Sequence, residues 1–292
     1  MTGGVPFGAR LAAAMDDLGP LCVGIDPHPA LLAAWGLGDD PAGLRELSLR
    51  VVEAVGGRVA AIKPQSAFFE RHGSAGIAVL EEVLAAALGG PTQAILDAKR
   101  GDIGSTMAGY ADAYLRDGSP LAADALTVSP YLGAGSLDPA VRAALATGRG
   151  LFVLCLTSNP EGPEVQHAAR PSPDGAVSVA TTVAAYAAGL NAAELGPAGG
   201  RGLGSIGLVI GATVGDAVAR LDLDLAAVRG PLLAPGVGAQ GAGAAELRAV
   251  FGGARRTVLA STSRAVLGAG PAMSDLRAAA SAATAQAVEA LR

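Results

Sequence analysis

The 292-residue sequence predicts an α/β fold, a closed (β/α)8 TIM barrel forming a single domain over 1–292. Three observations carry that prediction. Eight short runs are almost continuously apolar, with no alternation, as parallel strands buried on both faces are. Amphipathic helical segments separate them, which is the order of repeated β-α units. Polar or charged residues stand at the ends of most runs, where a barrel gathers its reactive groups. The length suits one barrel, since such folds commonly run near 250 residues as one domain. An open doubly wound sheet is the other arrangement compatible with the pattern.

Residues 6–18 set Phe7, Leu11, Ala14, Met15 and Leu18 at helical spacing, giving a leading helix. The first strand, Leu21-Cys22-Val23-Gly24-Ile25, ends in Asp26 and Pro27, and an amphipathic helix covers 44–55. The second, Val59-Ala60-Ala61-Ile62, ends in Lys63 and is stopped by Pro64. A helix over 77–88 is broken by Gly89-Gly90-Pro91. The third strand runs through Ala94-Ile95-Leu96 into Asp97-Ala98-Lys99, Gly101 ends it, and 105–115 is helical. The fourth is Ala125-Leu126-Thr127-Val128, with Ser129 opening its loop and a helix over 139–146. The fifth covers 150–156 and is followed by Thr157-Ser158-Asn159-Pro160. A polar, proline-rich loop over about 160–175 contains Gln166 and His167; its length predicts a mobile insertion. After an Ala-rich helix over 177–195, the sixth strand covers 206–210. The seventh, Leu232-Leu233-Ala234, runs into Pro235-Gly236-Val237-Gly238-Ala239-Gln240-Gly241. A helix over 244–251 precedes the eighth strand, Thr257-Val258-Leu259-Ala260; Ser261-Thr262-Ser263-Arg264 and a closing helix over 273–291 complete the pattern.

Composition removes several function classes. The mean hydropathy of +0.42 comes from alanine spread through amphipathic helices, and no apolar run approaches the ~18–20 residues of a membrane span. Met1-Thr2-Gly3-Gly4 offers no basic segment followed by an apolar one, so no secretory signal is expected. A net charge of −5 without a basic cluster argues against nucleic acid as a partner. Cys22 and Cys155, each inside an apolar run, read as buried thiols in a reducing, cytoplasmic compartment. They and the three histidines lack metal-ligand spacing, so no metal site is expected.

Of 21 basic residues, 19 are arginine; the two lysines, Lys63 and Lys99, both end strand-like runs. A lysine ammonium can give up a proton near neutral pH, which a guanidinium cannot. Asp97 and Lys99, two apart on a strand, point to one face, and Asp102 follows three residues later. Burying such charges is costly unless each is paired. One reading is a structural ion pair with a helix cap at Asp102. The other is a reactive row, Lys63, Asp97, Lys99 and Asp102, whose neighbours keep both lysines protonated. Lys99 is then a general acid, since a Schiff-base lysine needs a depressed pKa.

A glycine-rich turn alone is commonly just a tight connection. Here it follows strand seven, with Arg264 just after strand eight, the usual place in a barrel for a phosphate. Gln240 lies in the same turn. Neither a G-x-G-x-x-G after the first strand nor a Gly-Lys-Ser/Thr loop is present, so no nucleotide cofactor is expected and the phosphate belongs to the substrate.

Asp97-x-Lys99-x-x-Asp102-Ile103-x-x-Thr106 resembles the signature of the orotidine 5'-monophosphate decarboxylase family, in its longer bacterial branch. Residues 235–241 resemble that family's phosphate loop and Arg264 its phosphate arginine. Asp26 and Lys63 match its acid and lysine after strands one and two, and Ser158 its pyrimidine-contacting serine. The resemblance implies cofactor-free conversion of orotidine 5'-monophosphate to UMP, the last step of pyrimidine synthesis. Lys99 would protonate C6, Asp97 lie against the departing carboxylate, and Lys63 position Asp97. Asp26 would bind ribose hydroxyls, and Gln240 and Arg264 the phosphate. It also implies a homodimer in which Asp102, Ile103 and Thr106 reach the neighbouring site. Sugar-phosphate lyases sharing Asp-x-Lys-x-x-Asp carry a glutamate after strand two to hold Mg2+; Lys63 stands there instead and opposes a metal. A silent phosphate-binding barrel would need no proton donor beside Asp97.

Overall fold

The computed structural model describes residues 4–173, 175–197, 202–237 and 242–292. Eight parallel strands close a barrel: β1 (Leu21–Ile25), β2 (Ala61–Pro64), β3 (Gln93–Arg100), β4 (Ala125–Val128), β5 (Gly150–Leu156), then, after a hairpin of β6 (Ala169–Ser172) and β7 (Gly175–Ser178), β8 (Ile206–Ile210), β9 (Leu232–Pro235) and β10 (Val258–Thr262). Each barrel strand pairs with the next barrel strand in the chain, and β10 returns to β1 through Leu21↔Ala260, Cys22↔Ser261 and Val23↔Thr262.

The helices run in chain order as α1 (Phe7–Leu18), α2 (Pro29–Ala34), α3 (Pro41–Val55), α4 (Ser66–Glu70), α5 (Gly73–Ala87), α6 (Gly104–Leu115), α7 (Asp138–Ala146), α8 (Gly162–Gln166), α9 (Val179–Leu195), α10 (Ala217–Arg220), α11 (Ala244–Phe251), α12 (Arg264–Leu267) and α13 (Met273–Leu291). No helix is long and apolar enough to cross a membrane among the described residues.

Two apolar layers explain the continuous hydrophobic strands. Val23, Ile25, Leu96 and Leu126 face outward onto the helices, whereas Cys22, Ala61, Ile95, Ala125, Phe152 and Leu259 fill the barrel together with α1. Counting by twos from the inward set leads up each strand to a polar residue: Cys22 to Asp26, Ala61 to Lys63, Ile95 to Asp97, Ala125 to Thr127, Leu259 to Ser261. The barrel is therefore oil at its base and charged at its mouth.

At the base, α1 is a plug. The Phe7 ring meets Phe152 edge-on, centroids 6.0 Å apart, and a Cβ at Gly150 would stand 2.1 Å from the Phe7 ring, so only glycine lets the plug seat. Arg10 spreads its donors over Gln93, Val5, Gly148 and Asp124, and Asp124 also accepts the Ala94 N–H, lacing α1 to the lower ends of β3, β4 and β5.

The predicted mobile insertion is instead a helix, α8, and an antiparallel hairpin closed by register from Ala169↔Ser178 to Ser172↔Gly175. Elements of four or five residues are too short to show a period in sequence. The helix after β3 begins at Gly104 with Ile103 at its N-cap and no side-chain cap, so Asp102 does not cap it.

Candidate active site

Asp97 is the centre of the mouth. Lys63 Nζ donates to its Oδ2 at 2.7 Å and Lys99 Nζ to its Oδ1 at 2.6 Å. Gln65 Nε2 also donates to Oδ2, at 3.1 Å, and Thr127 Oγ1 to Oδ1, at 2.9 Å. A buried carboxylate is costly unless its lone pairs are filled; here four donors fill them. Burial pushes the Asp97 carboxyl up, but Lys63 and Lys99 outweigh it and hold it down at about 2. Burial likewise opposes charge on Lys63, yet Asp97 and Asp26 raise its pKa, so the ammonium is held in the interior. Lys63 is 7% exposed, and its partner Asp97 6%.

Lys99 reaches the same carboxylate by an unusual backbone route. Leu96 pairs with Leu126 but Arg100 pairs with Val128, so β3 carries two extra residues there as a bulge. Lys99 sits in it at φ 47, the left-handed region that costs a non-glycine residue roughly 1–3 kcal/mol and persists only where surroundings enforce it. The Lys99 N–H donates to Thr127 Oγ1, Arg100 Nη1 donates to the Ala98 carbonyl, and the Ser129 N–H donates to the Arg100 carbonyl. The Arg100 guanidinium is itself fixed by Glu70 on α4 and lies over the Tyr110 and Tyr114 rings.

Lys99 is thus not bracketed by two acids, as its spacing suggests. The Asp102 carboxylate accepts the Ile103 N–H at 2.8 Å and makes no ion pair with a described residue. The order is inverted: two ammoniums bracket one carboxylate. Ile103, 61% exposed, and the exposed Thr106 stand out beside it. A cleft of about 370 Å³ opens next to Lys99, lined by Gln65, Phe68, Glu70, Asp97 and Arg100 among others.

The remaining candidates lie around the same rim. Asp26, at the end of β1, has a buried Oδ1 without a hydrogen-bond partner among the described residues. Ser158 is exposed beyond β5. Arg264 opens α12 beyond β10, exposed and without an ion pair to a described residue. After the neighbouring strand β9, the glycine-rich turn is pinched at its base, where the Ala242 N–H donates to the Gly236 carbonyl at 2.9 Å and Val237 pairs with Ala242. Gln240 lies outside the described residues. Sequence reasoning missed Thr127, Gln65 and Arg100. Thr127 had a signal, the single polar residue in a four-residue apolar strand; Gln65 and Arg100 had none.

A family model described as "Orotidine 5'-phosphate decarboxylase / HUMPS family" matches residues 19–279. The chain belongs to this family. It is 58% identical over 275 residues, 94% of each chain, to the orotidine 5'-phosphate decarboxylase of Streptomyces coelicolor, and 57% identical over 263 residues to that of a Nocardioides species, covering 90% of this chain and 92% of the other. Among solved structures, a Streptomyces avermitilis chain assigned the same name superposes with a TM-score of 0.91 at 58% identity, covering 99% of this chain and 97% of that one. The OMP decarboxylase of Leishmania donovani gives 0.75 at 31% identity, with 98% and 99% covered. The relatives' shared name is that of a carboxy-lyase.

Proposed function

We propose that this chain converts orotidine 5'-monophosphate to UMP and CO2, with Lys99 as the acid. The Lys63–Asp97–Lys99 row carries the reading, because it holds a proton donor against a permanent negative charge inside a barrel mouth. The bond from C6 to the carboxylate breaks, its electron pair stays on C6, and the Lys99 ammonium delivers its proton there, leaving a neutral amine that solvent reprotonates. Asp97, ionised down to about pH 2, faces the departing carboxylate. Lys63, Gln65 and Thr127 keep it there without reorganisation as charge moves.

Substrate binding is assigned to the rim. The orphaned Asp26 Oδ1 accepts ribose hydroxyls, Ser158 meets the pyrimidine, and Arg264 with Gln240 binds the phosphate. Contacts that far from C6 supply binding energy expressed in the transition state. The chain works as a homodimer: an open cleft beside Lys99, and a half-buried Asp102 with exposed Ile103 and Thr106 that do not line that cleft, suit exchange between two copies. The family's sugar-phosphate branch is disfavoured because the Lys63 ammonium, 2.7 Å from Asp97, repels a divalent cation at that carboxylate.

Purified protein is expected to lower the absorbance on the long-wavelength side of the substrate's ultraviolet band without added metal, the uracil product keeping a band of its own, and EDTA is expected to leave the rate unchanged. Lys99→Ala is expected to lower kcat by about 10³-fold or more while UMP affinity stays within a few-fold. Turnover surviving that substitution would refute Lys99 as the acid; absence of turnover in the unaltered protein would leave a binder.

A further inference from the structure

We infer that Gln166 is a positioning residue for base recognition: its amide locks Thr157 and so aims Ser158 into the mouth. The inference rests on the reading above in which Ser158 meets the pyrimidine. Gln166 ends α8, in the insertion after β5, and spends both ends of its amide on one residue. Its Oε1 accepts the Thr157 N–H at 2.9 Å and its Nε2 donates to Thr157 Oγ1 at 2.7 Å. Thr157 Oγ1 donates in turn to Asn159 Oδ1 at 2.6 Å, and Asn159 Nδ2 to Glu161 Oε2 at 2.9 Å.

Ser158 lies between the two residues so fixed. Its other flank rests on β8: a Cβ at Gly211 would come within 3.1 Å of the Ser158 nitrogen and 3.2 Å of its Cβ. Both neighbours are locked and the backbone is backed by Gly211, yet Ser158 itself is exposed, with no hydrogen bond from its hydroxyl to a described residue. The Ser158 hydroxyl is therefore free to meet a ligand, while the backbone on both sides of it is held.

The insertion is built to hold this clamp. Gly162 allows α8 to lie against the loop, since a Cβ there would stand 3.0 Å from Thr157 Oγ1 and 3.1 Å from Gln166 Oε1. Beyond α8 the hairpin closes at its base, with the Val179 N–H donating to the Ala168 carbonyl at 2.8 Å and Ser178 capping α9 through the Thr181 N–H. The C-terminal end of α8 is thereby tied to a long helix of the barrel wall, and the amide is held to a fixed position.

The test separates the base from the rest of the nucleotide. Gln166→Met keeps the length of the side chain without its hydrogen bonds; Gln166→Glu keeps an acceptor for the Thr157 N–H. For Gln166→Met, kcat/KM on orotidine 5'-monophosphate and affinity for UMP are each expected to fall about tenfold, while affinity for ribose 5-phosphate, which has no base, is unchanged. Gln166→Glu is expected to fall between that variant and the unaltered protein. In a Ser158→Ala background, Gln166→Met is expected to add little, the non-additivity of two residues acting through one contact. Equal losses for UMP and ribose 5-phosphate, full additivity with Ser158→Ala, or a Gln166→Met enzyme indistinguishable from the unaltered one would each overturn the inference. If the unaltered protein neither turns over the substrate nor prefers UMP to ribose 5-phosphate, the proposed function itself fails, whatever the Gln166 variants do.

Discussion

The two ends of the barrel solve opposite problems with the same strands. At the base, the packing serves folding: Phe7 is fully buried against Phe152, and Arg10 distributes its donors over four residues. At the mouth, the structure tolerates what folding alone would remove. Lys99 is in a left-handed conformation, Asp26 keeps a buried oxygen without a partner among the described residues, and Ile103 is largely exposed. Such features recur where ligands are handled, although the base end has instances of its own, Arg229 at φ 49 before β9 and a buried Arg149 Nε before β5 without a partner among the described residues. The base stabilises the scaffold on which the mouth is held.

That division is broken most forcefully at Phe7. Phe7→Ala removes a fully buried ring from the plug and is expected to cost about 3–5 kcal/mol, read as a large fall in Tm. Activity per folded molecule should stay within about twofold, because no mouth residue touches the plug; such losses come from cavities, not from chemistry. A Phe7→Ala protein with native Tm, or one whose kcat falls in step with its stability at temperatures where it is fully folded, would show that the two ends are not separable.

A smaller effect belongs to Asp97. Its carboxyl is held at about 2 against an ordinary 3.8, after Lys63 and Lys99 outweigh its burial. A depressed carboxyl contributes stability that is fully present above pH 3.8 and is lost as pH falls toward 2. The contribution is about 2 kcal/mol. Asp97→Asn should therefore be less stable at neutral pH, since Lys63 loses its charged partner inside the barrel, and its stability should fall less steeply than the unaltered protein's over that acid window. Denaturant unfolding at several pH values measures both slopes, and parallel slopes would contradict the coupling.

Much of this contrast was written in the sequence, and the rest was not for definite reasons. The eight strands were legible because both layers around them are apolar, which removes the alternation that would have confused them with an open antiparallel sheet. Lys63 and Lys99 stood out by chemistry, being the two lysines among 21 basic residues. The Asp97–Lys99 pair followed from a period of two, although the route proved to be a bulge. Asp102 was read from its nearness in sequence as a second acid flanking Lys99, but within the chain its carboxylate accepts the Ile103 N–H instead. Thr127 and Gln65 escaped because their role depends on cross-strand register, Leu96 against Leu126 and Gln65 against Asp97, which no local pattern encodes. The insertion was read as mobile because a five-residue helix and two four-residue strands leave no periodic trace.

The smallest effect tests the strain itself. Replacing Lys99 by alanine or by glycine removes the same ammonium, the same bond to Asp97 and nearly the same contacts, so the two variants differ mainly in backbone freedom. In an ordinary strand alanine is the more stable of the two by roughly 0.5–1 kcal/mol, because glycine has more entropy to lose. At φ 47 the order should invert, with Lys99→Gly more stable than Lys99→Ala by about 1 kcal/mol, since only glycine occupies that region without a Cβ penalty. Both variants should lack turnover, so the inversion reads the backbone and nothing else. If Lys99→Ala proves the more stable, the bulge is relaxed in solution and the mouth does not hold its acid under strain.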